Sequence, residues 1–510
     1  MKLHKYLALP LLLLAAIQIP LSLRAQGLNE ILLYSQHLPT STARAVGFGH
    51  AMGAIGSDFS TLATNPGGLG FYRSHEMAGT LNLGLNLGRE TYRNQTLTSP
   101  ALSAELGGLG LVLALSSDRD VESGLISLNF GIAYNQLACY RNVYTAQASN
   151  TTSFLDALTQ EANDLGMTPS TFDNNDVLSA YNWFLVAARK AYLLEPVNTS
   201  GKPWKPNDPF HHFRAVLEDG EIVEQQQVTD TDGHLGEIDL STALNISNRL
   251  FLGFTLGIQE LYYTQNLKHT ERSIADPSGI GSLSAFTLSQ LSKDEGLGIN
   301  FKVGAIVRAT DFLRIGLAFH TPTVMGLESS FRVKAEAQFK NPPPFTSYET
   351  PKGLNKVTMY QPFKTIGSLA VILGTHASIS ADYAFSYTPF ARFANVADFS
   401  KENDLLQQHT RPVHDIRAGA EFLFLPFVFR VGGGFRTSPY SSELYEKIGK
   451  RYYASTGFGM FFDGLYFDVA YRHLWESSEG LLYKYSPNYE ALSKRKHFEG
   501  LLISTLGIRF

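Results

Sequence analysis

The feature that most constrains the fold of this chain is a strict two-residue alternation of large apolar and small or polar side chains. Between 76 and 89 the odd positions carry mostly Leu, whereas the even positions carry mainly Ala, Thr, Asn and Gly. The same pattern returns at 109–116, 126–135 and 250–259. Alternation with this period predicts β-strands with one apolar face. Because it recurs along the whole chain, we expect an all-β protein built from amphipathic strands.

The composition favours a membrane barrel over a soluble sandwich made of such strands. Charged residues occupy 17% of the 510 positions and aromatic residues 12%, whereas a typical soluble protein has about 25% charged residues. Beyond position 25 there is no stretch of about 18 uninterrupted apolar residues that predicts a spanning helix. Every backbone polar group must be paired inside lipid, so strands cross a bilayer only as a closed barrel.

Several other classes of protein are excluded by the same sequence. The formal charge of −4 provides no basic surface for nucleic acid. The single cysteine, Cys139, can form neither an internal disulfide nor a cysteine zinc site. No Ser-His-Asp arrangement, catalytic carboxylate pair or metal-ligand spacing stands out. We therefore expect neither an enzyme nor a cofactor-binding or metal-binding protein.

The connections between the alternating segments are short and long in turn. The short ones lie near 117–118, 247–248, 310–311, 374, 426 and 463–464. The long ones lie at 90–105, 141–234, 265–295, 321–355, 389–410, 437–449 and 476–496. Short turns on one side and long loops on the other are typical of outer-membrane barrels. The count predicts a 14-stranded antiparallel transmembrane β-barrel over 76–510, with the weakly alternating segment 329–339 placed in a hairpin tip.

Both ends of the chain carry export signals. Residues 1–25 have a basic start, an apolar centre and a small residue before Gln26, which is the layout of a cleaved signal peptide. A single membrane anchor is the alternative interpretation. The last alternating segment, 497–510, ends on Phe510 and resembles the terminal sequence that the barrel assembly machinery recognises. We expect a multi-pass protein in the outer membrane of a Gram-negative bacterium, surrounded by outer-membrane lipid.

Residues 26–75 show no alternation of apolar and polar side chains and are rich in small residues. Within them, 28–35 are predicted to form a short helix. This segment resembles the hatch of the FadL/TodX family of outer-membrane transporters, in which an A-R-A-x-G-x-G-x-A run precedes an N-P-A-G-L motif. The matching positions are Ala43, Arg44, Ala45, Gly47, Gly49, Ala51, Asn65, Pro66, Gly68 and Leu69. Gly67 replaces the family's Ala, and His50 stands where the family often has Gly. The resemblance implies that 26–75 form a hatch plugging the barrel lumen.

The resemblance also implies which residues hold or gate the hatch. They are Arg44, Gly47, Gly49, Asn65, Pro66, Gly67, Gly68 and Leu69. We expect Pro66 to fix the chain and Gly67 or Gly68 to take a backbone geometry that only glycine adopts easily.

The longest connection, 141–234, is predicted to be a partly helical external loop because apolar residues recur at helical spacing after 178. Its bulky side chains either pack the loop on itself or line a groove for a hydrophobic ligand: Trp183, Phe184, Trp204, Phe210 and Phe213. Alternation places further charges inside the barrel. Among them Lys302, Arg308 and Arg314 either brace the hatch or meet a ligand carboxylate.

The function implied by the resemblance is passive uptake of hydrophobic small molecules, such as long-chain fatty acids. One alternative is a FadL-like barrel that binds or shuttles proteins in secretion. Another is a haemin receptor, in which the adjacent His211 and His212 would bind the haem. An apolar lumen of ligand size favours transport, and a lumen filled by side chains favours the protein-binding alternative.

Overall fold

A computed structural model gives the structure of the chain at residues 28–116, 123–174, 177–217, 220–275, 282–341, 344–394, 399–441, 448–486 and 489–510. The expected signal peptide at 1–25 and the expected turn at 117–118 lie outside these described residues.

Strands dominate the described residues. In chain order they are β1 (Glu76–Tyr92), β2 (Gln95–Ser116), β3 (Leu125–Cys139), β4 (Asn142–Asn150), β5 (Leu194–Asn198), β6 (Phe210–Ala215), β7 (Ile222–Ile246), β8 (Leu250–Ala275), β9 (Leu283–Arg308), β10 (Leu313–His320), β11 (Val324–Phe339), β12 (Phe345–Glu349), β13 (Gly353–Tyr360), β14 (Lys364–Leu373), β15 (Ala377–Ser386), β16 (Arg392–Phe393), β17 (Val413–Phe424), β18 (Phe427–Arg436), β19 (Ile448–Phe462), β20 (Leu465–Ser486) and β21 (Tyr489–Arg509).

The sheet closes on itself. Each crossing of the barrel pairs antiparallel with the next crossing along the chain, and β1 also pairs with β21 from Glu76↔Arg509 to Tyr92↔Ser493. Four crossings consist of two strands in line, namely β3 with β4, β10 with β11, β13 with β14 and β15 with β16. The result is a closed 14-stranded antiparallel barrel, so the predicted fold class is confirmed.

The two faces of the wall follow the alternation. In β1, Leu83 is 56% exposed on the outer face, whereas its neighbour Asn82 is 3% exposed on the inner face. Outward Leu, Ile, Val and Phe side chains form an apolar band on the neighbouring strands as well. An apolar band outside a closed barrel with polar groups inside is the pattern of a lipid-embedded wall.

The two ends of the barrel differ. Tight turns such as Ser247-Asn248 and Asp463-Gly464 use left-handed backbone angles at one end, here named the turn end. At the other, the hairpin end, several segments expected to be loops are regular strands. The segment 90–105 is a hairpin in which Tyr92 pairs with Gln95. The segments 265–295 and 476–496 are largely strand too.

The loop boundaries predicted for these hairpins were therefore wrong. Beyond the membrane both faces of a strand meet water or other loops, so the apolar alternation disappears while the hydrogen-bonded ladder continues. The segment 329–339 behaves as predicted, because it lies in β11 and forms a hairpin tip in which 334–338 pair with β12, beyond the pairing of β11 with β13.

Helices are few and short. They are α1 (Leu28–Tyr34), α2 (Ala43–Gly47), α3 (Phe154–Asp164), α4 (Val177–Ala180), α5 (Trp183–Lys190) and α6 (Ser400–His409), with 3-10 turns at Phe59–Ala63, Pro66–Phe71, Pro169–Asp173 and Thr388–Phe390. The predicted helix at 28–35 is α1. Within the described part of the chain, no helix is long and apolar enough to span a membrane.

The insert at the hairpin end is shorter than the predicted loop 141–234. Strand β4 continues to Asn150 and β7 begins at Ile222, so the insert spans 151–221. Helix α3 begins at a capping box, in which the Ser153 hydroxyl accepts from the chain and Asp156 accepts from the Ser153 N–H. The predicted helical stretch forms α4 and α5, which pack with α3 into an apolar core that also includes side chains of β9 and β11.

Candidate functional site

Residues 28–72, here named the N-terminal segment, contact strands on several sides of the barrel. The Arg436 guanidinium donates to the His37 carbonyl at 2.5 Å, Arg314 donates to the Ile55 carbonyl at 2.8 Å, and His320 Nε2 donates to the Thr64 carbonyl at 2.6 Å. These donors belong to β18 and β10, on different sides of the wall. The N-terminal segment thus lies inside the barrel, with its backbone carbonyls held by wall side chains.

Arg44 forms the charged anchor of the N-terminal segment. Its guanidinium makes a two-pronged contact with Glu421 at 3.2 and 3.3 Å and donates to the Ser57 carbonyl at 2.7 Å. Glu421 also accepts from Arg430 at 2.7 Å. Burial alone would lower the pKa of Arg44, but the Glu421 and Asp58 carboxylates raise it above its ordinary value. Arg44 therefore stays charged and ties the segment to β17.

Glycines allow the N-terminal segment to touch the wall backbone directly. Gly49 has a φ of +63°, and a Cβ there would lie 2.5 Å from Gly433 N and 2.6 Å from Ala418 O. A Cβ on Gly47 would lie 3.1 Å from Gly457 Cα. His50 adopts a φ of 58°, a backbone conformation that glycine takes more easily than other residues.

The Asn65-Pro66-Gly67-Gly68-Leu69 motif forms a capped 3-10 turn. The Asn65 amide oxygen accepts from Gly67 N at 3.1 Å, and its amide nitrogen donates to the Gly53 carbonyl at 2.7 Å. Pro66 occupies the first turn, where a missing N–H is tolerated. Leu69 is fully buried.

The expectation that Gly67 or Gly68 takes a backbone geometry reserved for glycine was wrong. Neither residue has a left-handed φ. Glycine is needed because of close packing: a Cβ on Gly68 would lie 2.8 Å from Thr61 Oγ1, and one on Gly67 would lie 3.1 Å from Phe251 O.

A small cavity of about 70 Å³ lies between the N-terminal segment and the wall. Its lining is mostly polar and includes Gln36, His37, Glu237, Gln259, Asn300, Lys302, His320, Gln361, Lys364, Asp415 and Arg436. Burial is the main cause that lowers the pKa of His37 to about 4, and nearby Lys364 adds to it. His37 is therefore neutral at pH 7, and its Nε2 donates to the Tyr34 carbonyl at 2.9 Å.

The wall beside this cavity is interrupted in three neighbouring crossings at one level. The interruptions at 321–323, 361–363 and 387–391 each contain a proline, namely Pro322, Pro362 and Pro389. Proline has no N–H for the ladder. Two backbone bonds still join neighbouring crossings there, from Gln361 N to Thr323 O at 2.9 Å and from Tyr387 N to Phe363 O at 3.3 Å. We name this region the wall gap.

Aromatic rings surround the wall gap. The Phe363 ring lies 6.2 Å from that of Phe319, 5.8 Å from Tyr387 and 6.1 Å from Phe390. Phe319 and Tyr387 are each 41% exposed, on the outer side of the wall. The cavity reaches the gap from within, because Thr321, Thr323, Gln361 and Pro362 line it.

An apolar layer separates the cavity from the hairpin end. Ile31, Leu32 and Tyr34 of α1 are fully buried in it. Their neighbours are inward-facing side chains from crossings around the barrel: Leu137, Leu235, Leu261, Met325, Leu327, Val357, Met359 and Phe393. The Tyr34 hydroxyl donates to Asp294 on β9. Helix α1 therefore closes the lumen with apolar contacts, with the buried Tyr34 anchor and with a hydrogen bond that Asn29 Oδ1 accepts from the Tyr440 hydroxyl at 2.6 Å.

The three predicted lumen cations have different surroundings. Lys302 lines the cavity, where it bonds Asp239 at 2.7 Å and also contacts Glu237. Arg308 lies by a turn and bonds the exposed Asp311 at 3.2 Å. Arg314 has its guanidinium 4.5 Å from the Phe71 ring and holds the N-terminal segment.

The five aromatic residues proposed for an external groove mostly pack the insert. Phe213 is fully buried, with Phe210 beside it at 5.1 Å between ring centroids. The Trp183 ring lies 4.4 Å from Phe331 on β11, and Phe184 lies 5.7 Å from Phe154. Trp204 donates its ring N–H to the Asp208 carbonyl at 2.8 Å. His211 and His212 contact each other in β6.

Sequence reasoning did not single out Lys364 or Gln361, which face the cavity. Alternation is weak in β14, because inward Ile366 and Ala370 are as apolar as their outward neighbours. The signal available was the repeated proline at 322, 362 and 389 after each alternating run. Among the described residues, no group of three or more His, Cys, Asp or Glu side chains is placed to hold a metal ion.

Comparison with solved structures identifies the fold. The chain is similar to a FadL homologue of Pseudomonas aeruginosa, with a TM-score of 0.55 and 13% identity over 93% of this chain and 99% of that one. It is also similar to the Pseudomonas putida toluene transporter TodX, with a TM-score of 0.50 and 10% identity over 93% and 100% of the two chains. Neither a protein-family model nor a curated protein sequence matches it. The chain therefore has the FadL/TodX fold, as its sequence motifs predicted.

Proposed function

We propose that this protein is an outer-membrane channel for passive uptake of hydrophobic small molecules, and not an enzyme. The observation that carries the proposal is the fold: a lipid-embedded barrel like those of TodX and FadL, containing an N-terminal segment and a cavity. The hairpin end faces outward and the turn end faces the periplasm, as in other barrels of this kind.

The domain organisation follows from the same proposal. Residues 1–25 are a cleaved signal peptide, 26–75 are the hatch and 76–510 are the barrel with its external insert. The strand ending at Phe510 is the one that the barrel assembly machinery recognises. The residues that hold the hatch are those with wall contacts, above all Arg44, Gly49 and Asn65.

A ligand path is supported by three neighbouring features. A hydrophobic molecule arriving at the hairpin end meets the apolar layer and displaces α1, which is held there largely by non-directional contacts. It then reaches the cavity. The wall gap offers a sideways exit to the membrane, because three crossings lack regular pairing there. No step on this path needs an energy-coupling domain.

One observation favours the protein-binding alternative. Side chains fill much of the lumen, and most of the residues that line the small cavity are polar, whereas a channel for simple hydrocarbons needs an apolar path. A barrel that binds or shuttles proteins needs no open path, and its folded insert would supply the binding surface.

Uptake measurements test the proposal and separate it from this alternative. Cells that make the protein, and matched cells that do not, are given radiolabelled toluene, palmitate or glucose. We expect faster uptake of toluene or palmitate in cells that make the protein, with glucose uptake unchanged. If each probe enters both strains at the same rate, the channel proposal is wrong and the protein-binding alternative is favoured.

A further inference from the structure

The outer face of the wall carries a groove that the proposed uptake path does not use. It has a volume of about 740 Å³ and crosses β7, β8, β9, β11 and β13. Its floor is a row of exposed residues that pair across four of these strands: Glu260, Leu297, Gly326 and Thr358. A Cβ at Gly326 would meet nothing within 4 Å, so the missing side chain leaves open space within the row. We name this region the outer groove.

The outer groove lies at the border of the apolar band. The next row toward the turn end is apolar or aromatic throughout: Ile238, Ile258, Ile299, Val324 and Tyr360. The next row toward the hairpin end is polar: His234, Tyr262, Glu295, Glu328 and Lys356. Tyrosine side chains and this change from apolar to charged residues are typical of the boundary between hydrocarbon and water. The outer groove is therefore at the level of the lipid head groups.

Carboxylates outnumber ammonium groups around the outer groove. Glu295 and Glu328 lie directly opposite each other in the ladder, an arrangement that is unfavourable for like charges. Each has a lysine partner, at 2.8 and 2.7 Å respectively: Lys293 and Lys356. Glu260 is the third carboxylate, and within the described residues the group in salt-bridge range of it is the His234 ring, at 3.6 Å. The excess negative charge is therefore at Glu260.

Glu260 is also the carboxylate closest to the apolar band. It lies in the floor row beside Leu297, and the residue two positions before it, Ile258, belongs to the apolar row. Its side chain is 52% exposed. A carboxylate at the edge of hydrocarbon is unfavourable without a cationic partner, and the charge of a histidine ring depends on pH. A cation supplied from the membrane would stabilise Glu260 at any pH at which it is ionised.

The apolar part of the outer groove indicates that this cation is attached to a hydrocarbon chain. Leu297 is 69% exposed and lies between Glu260 and the open space at Gly326. A metal ion would leave this apolar surface uncovered, whereas an acyl chain would cover it. A primary ammonium offers three N–H donors to carboxylates. At the other end of the floor row, the Thr358 hydroxyl and the Lys356 ammonium can donate to a phosphate.

We propose that the outer groove binds one phospholipid with a primary-amine head group, namely phosphatidylethanolamine. Its ammonium contacts Glu260, its phosphate faces Thr358 and Lys356, and an acyl chain covers Leu297 and fills the space at Gly326. The bound lipid stays in the membrane and does not enter the lumen. The inference goes beyond the proposed uptake function, because it assigns a binding site to the outside of the wall.

Native mass spectrometry of the full chain tests the proposal. The protein is placed in nanodiscs that contain equal amounts of dioleoyl phosphatidylethanolamine, phosphatidylcholine and phosphatidylglycerol, and the lipids that remain bound after release are identified. Phosphatidylcholine has the same chains and phosphate, but its ammonium has no N–H to donate. We expect one retained phosphatidylethanolamine per protein, in preference to the other two lipids.

Two variants alter the two ends of the proposed contact. Glu260→Gln should bind phosphatidylethanolamine about tenfold more weakly, because a charge-assisted contact is lost. Gly326→Phe should also lose the lipid, because its ring fills the space that the acyl chain occupies. Both altered side chains are on the exposed outer face, so both variants should still form the heat-resistant barrel seen by gel electrophoresis.

Glu349→Gln is the matched control. Glu349 is likewise an exposed carboxylate on a strand, but it lies near a hairpin tip and pairs with Arg332 at 3.1 Å. This variant should retain phosphatidylethanolamine like the unaltered protein.

Equal retention of the three lipids by the unaltered protein would overturn the inference, and so would unchanged retention in Glu260→Gln. A preference for phosphatidylglycerol would also overturn it, because the lysines and not Glu260 would then select the head group. A dimer that Gly326→Phe abolishes would show that a second copy of the chain occupies the outer groove instead. None of these results depends on what the barrel transports, so the proposed uptake function is tested separately.

Discussion

The two halves of the N-terminal segment are held in the barrel by different forces. Residues 41–72 meet the wall through glycine-to-backbone contacts and through ion pairs such as Arg44 with Glu421. Helix α1 is instead surrounded by apolar side chains, with the Tyr34 hydroxyl as its buried polar anchor. Contacts of the first kind have one geometry, whereas apolar contacts tolerate displacement. The difference indicates a fixed part near the turn end and a releasable part near the hairpin end.

The strongest way to break the fixed part is Gly49→Val. Its Cβ would overlap Gly433 N and Ala418 O, both wall backbone, and a β-branched residue does not tolerate a φ of +63°. We expect residues 41–72 to be displaced, at a local cost of about 3 kcal/mol or more, while the barrel still closes. Planar-bilayer recordings should show a new conductance.

Gly326→Val serves as the control for this change, because a Cβ at Gly326 meets nothing within 4 Å. It should leave the conductance as in the unaltered protein. A silent Gly49→Val channel with normal stability would show that close packing does not hold the segment.

The ion pair is the next target. Arg44→Gln leaves the buried Glu421 with Arg430 alone, and breaking a buried pair typically costs about 3 kcal/mol. The double variant Arg44→Gln with Glu421→Gln removes both charges and should recover part of that loss. Thermal unfolding in detergent measures each variant. If the double variant is no more stable than Arg44→Gln, the pair does not act as a unit.

The wall was more predictable from the sequence than the lumen. Alternation placed Asp415, Arg417 and Glu421 inside the barrel, and all three are buried there, because most of their outward neighbours, such as Ile416 and Phe422, are apolar. Alternation specifies a face and not a partner. It therefore left open whether Arg314 met a ligand or the hatch, a choice that depends on where the Ile55 carbonyl lies.

The cavity and the hairpins were harder to predict for a physical reason. Lys364 shares its face with apolar Ile366, so neither face of β14 stands out in the sequence. The Gly67 and Gly68 requirement comes from Thr61 and from Phe251 on β8, which approach only in the folded barrel. The local sequence around these residues does not predict such long-range contacts.

The releasable part is tested by Tyr34→Phe. The change removes the hydrogen bond to Asp294 and leaves that carboxylate with Ser329, at a cost of about 1–2 kcal/mol. We expect faster hydrogen exchange in α1 and none of that change in residues 41–72. Tyr140→Phe is the matched control, because the buried Tyr140 hydroxyl has no hydrogen-bond partner among the described residues and its ring lies 5.9 Å from that of Tyr34. Equal rates of hydrogen exchange in α1 of both variants would show that the Tyr34 hydrogen bond does not anchor this helix.

The smallest expected effect contrasts the half-buried Glu161 with the buried Glu421. Glu161 in α3 accepts from the Asn182 amide at 2.9 Å and has no cation beside it in the described part of the insert. Burial raises the pKa of Glu161 to about 7, although the Asn182 bond lowers it slightly. The folded insert then holds a proton that the unfolded insert releases above pH 4.5. Its stability therefore falls as pH rises from about 4.5 to 7.

Glu161→Gln keeps an acceptor for Asn182 and removes the titrating charge. At pH 8 this variant should therefore stabilise the insert by roughly 1 kcal/mol, a figure reduced for its partial exposure. At pH 4 the carboxyl is protonated and the two proteins should match. Hydrogen exchange of α3 at both pH values measures this difference. If the stability of the variant depends on pH as that of the unaltered protein does, ionisation of Glu161 does not destabilise the insert. The contrast between the paired carboxylates of the lumen and the unpaired one of the insert would then be wrong.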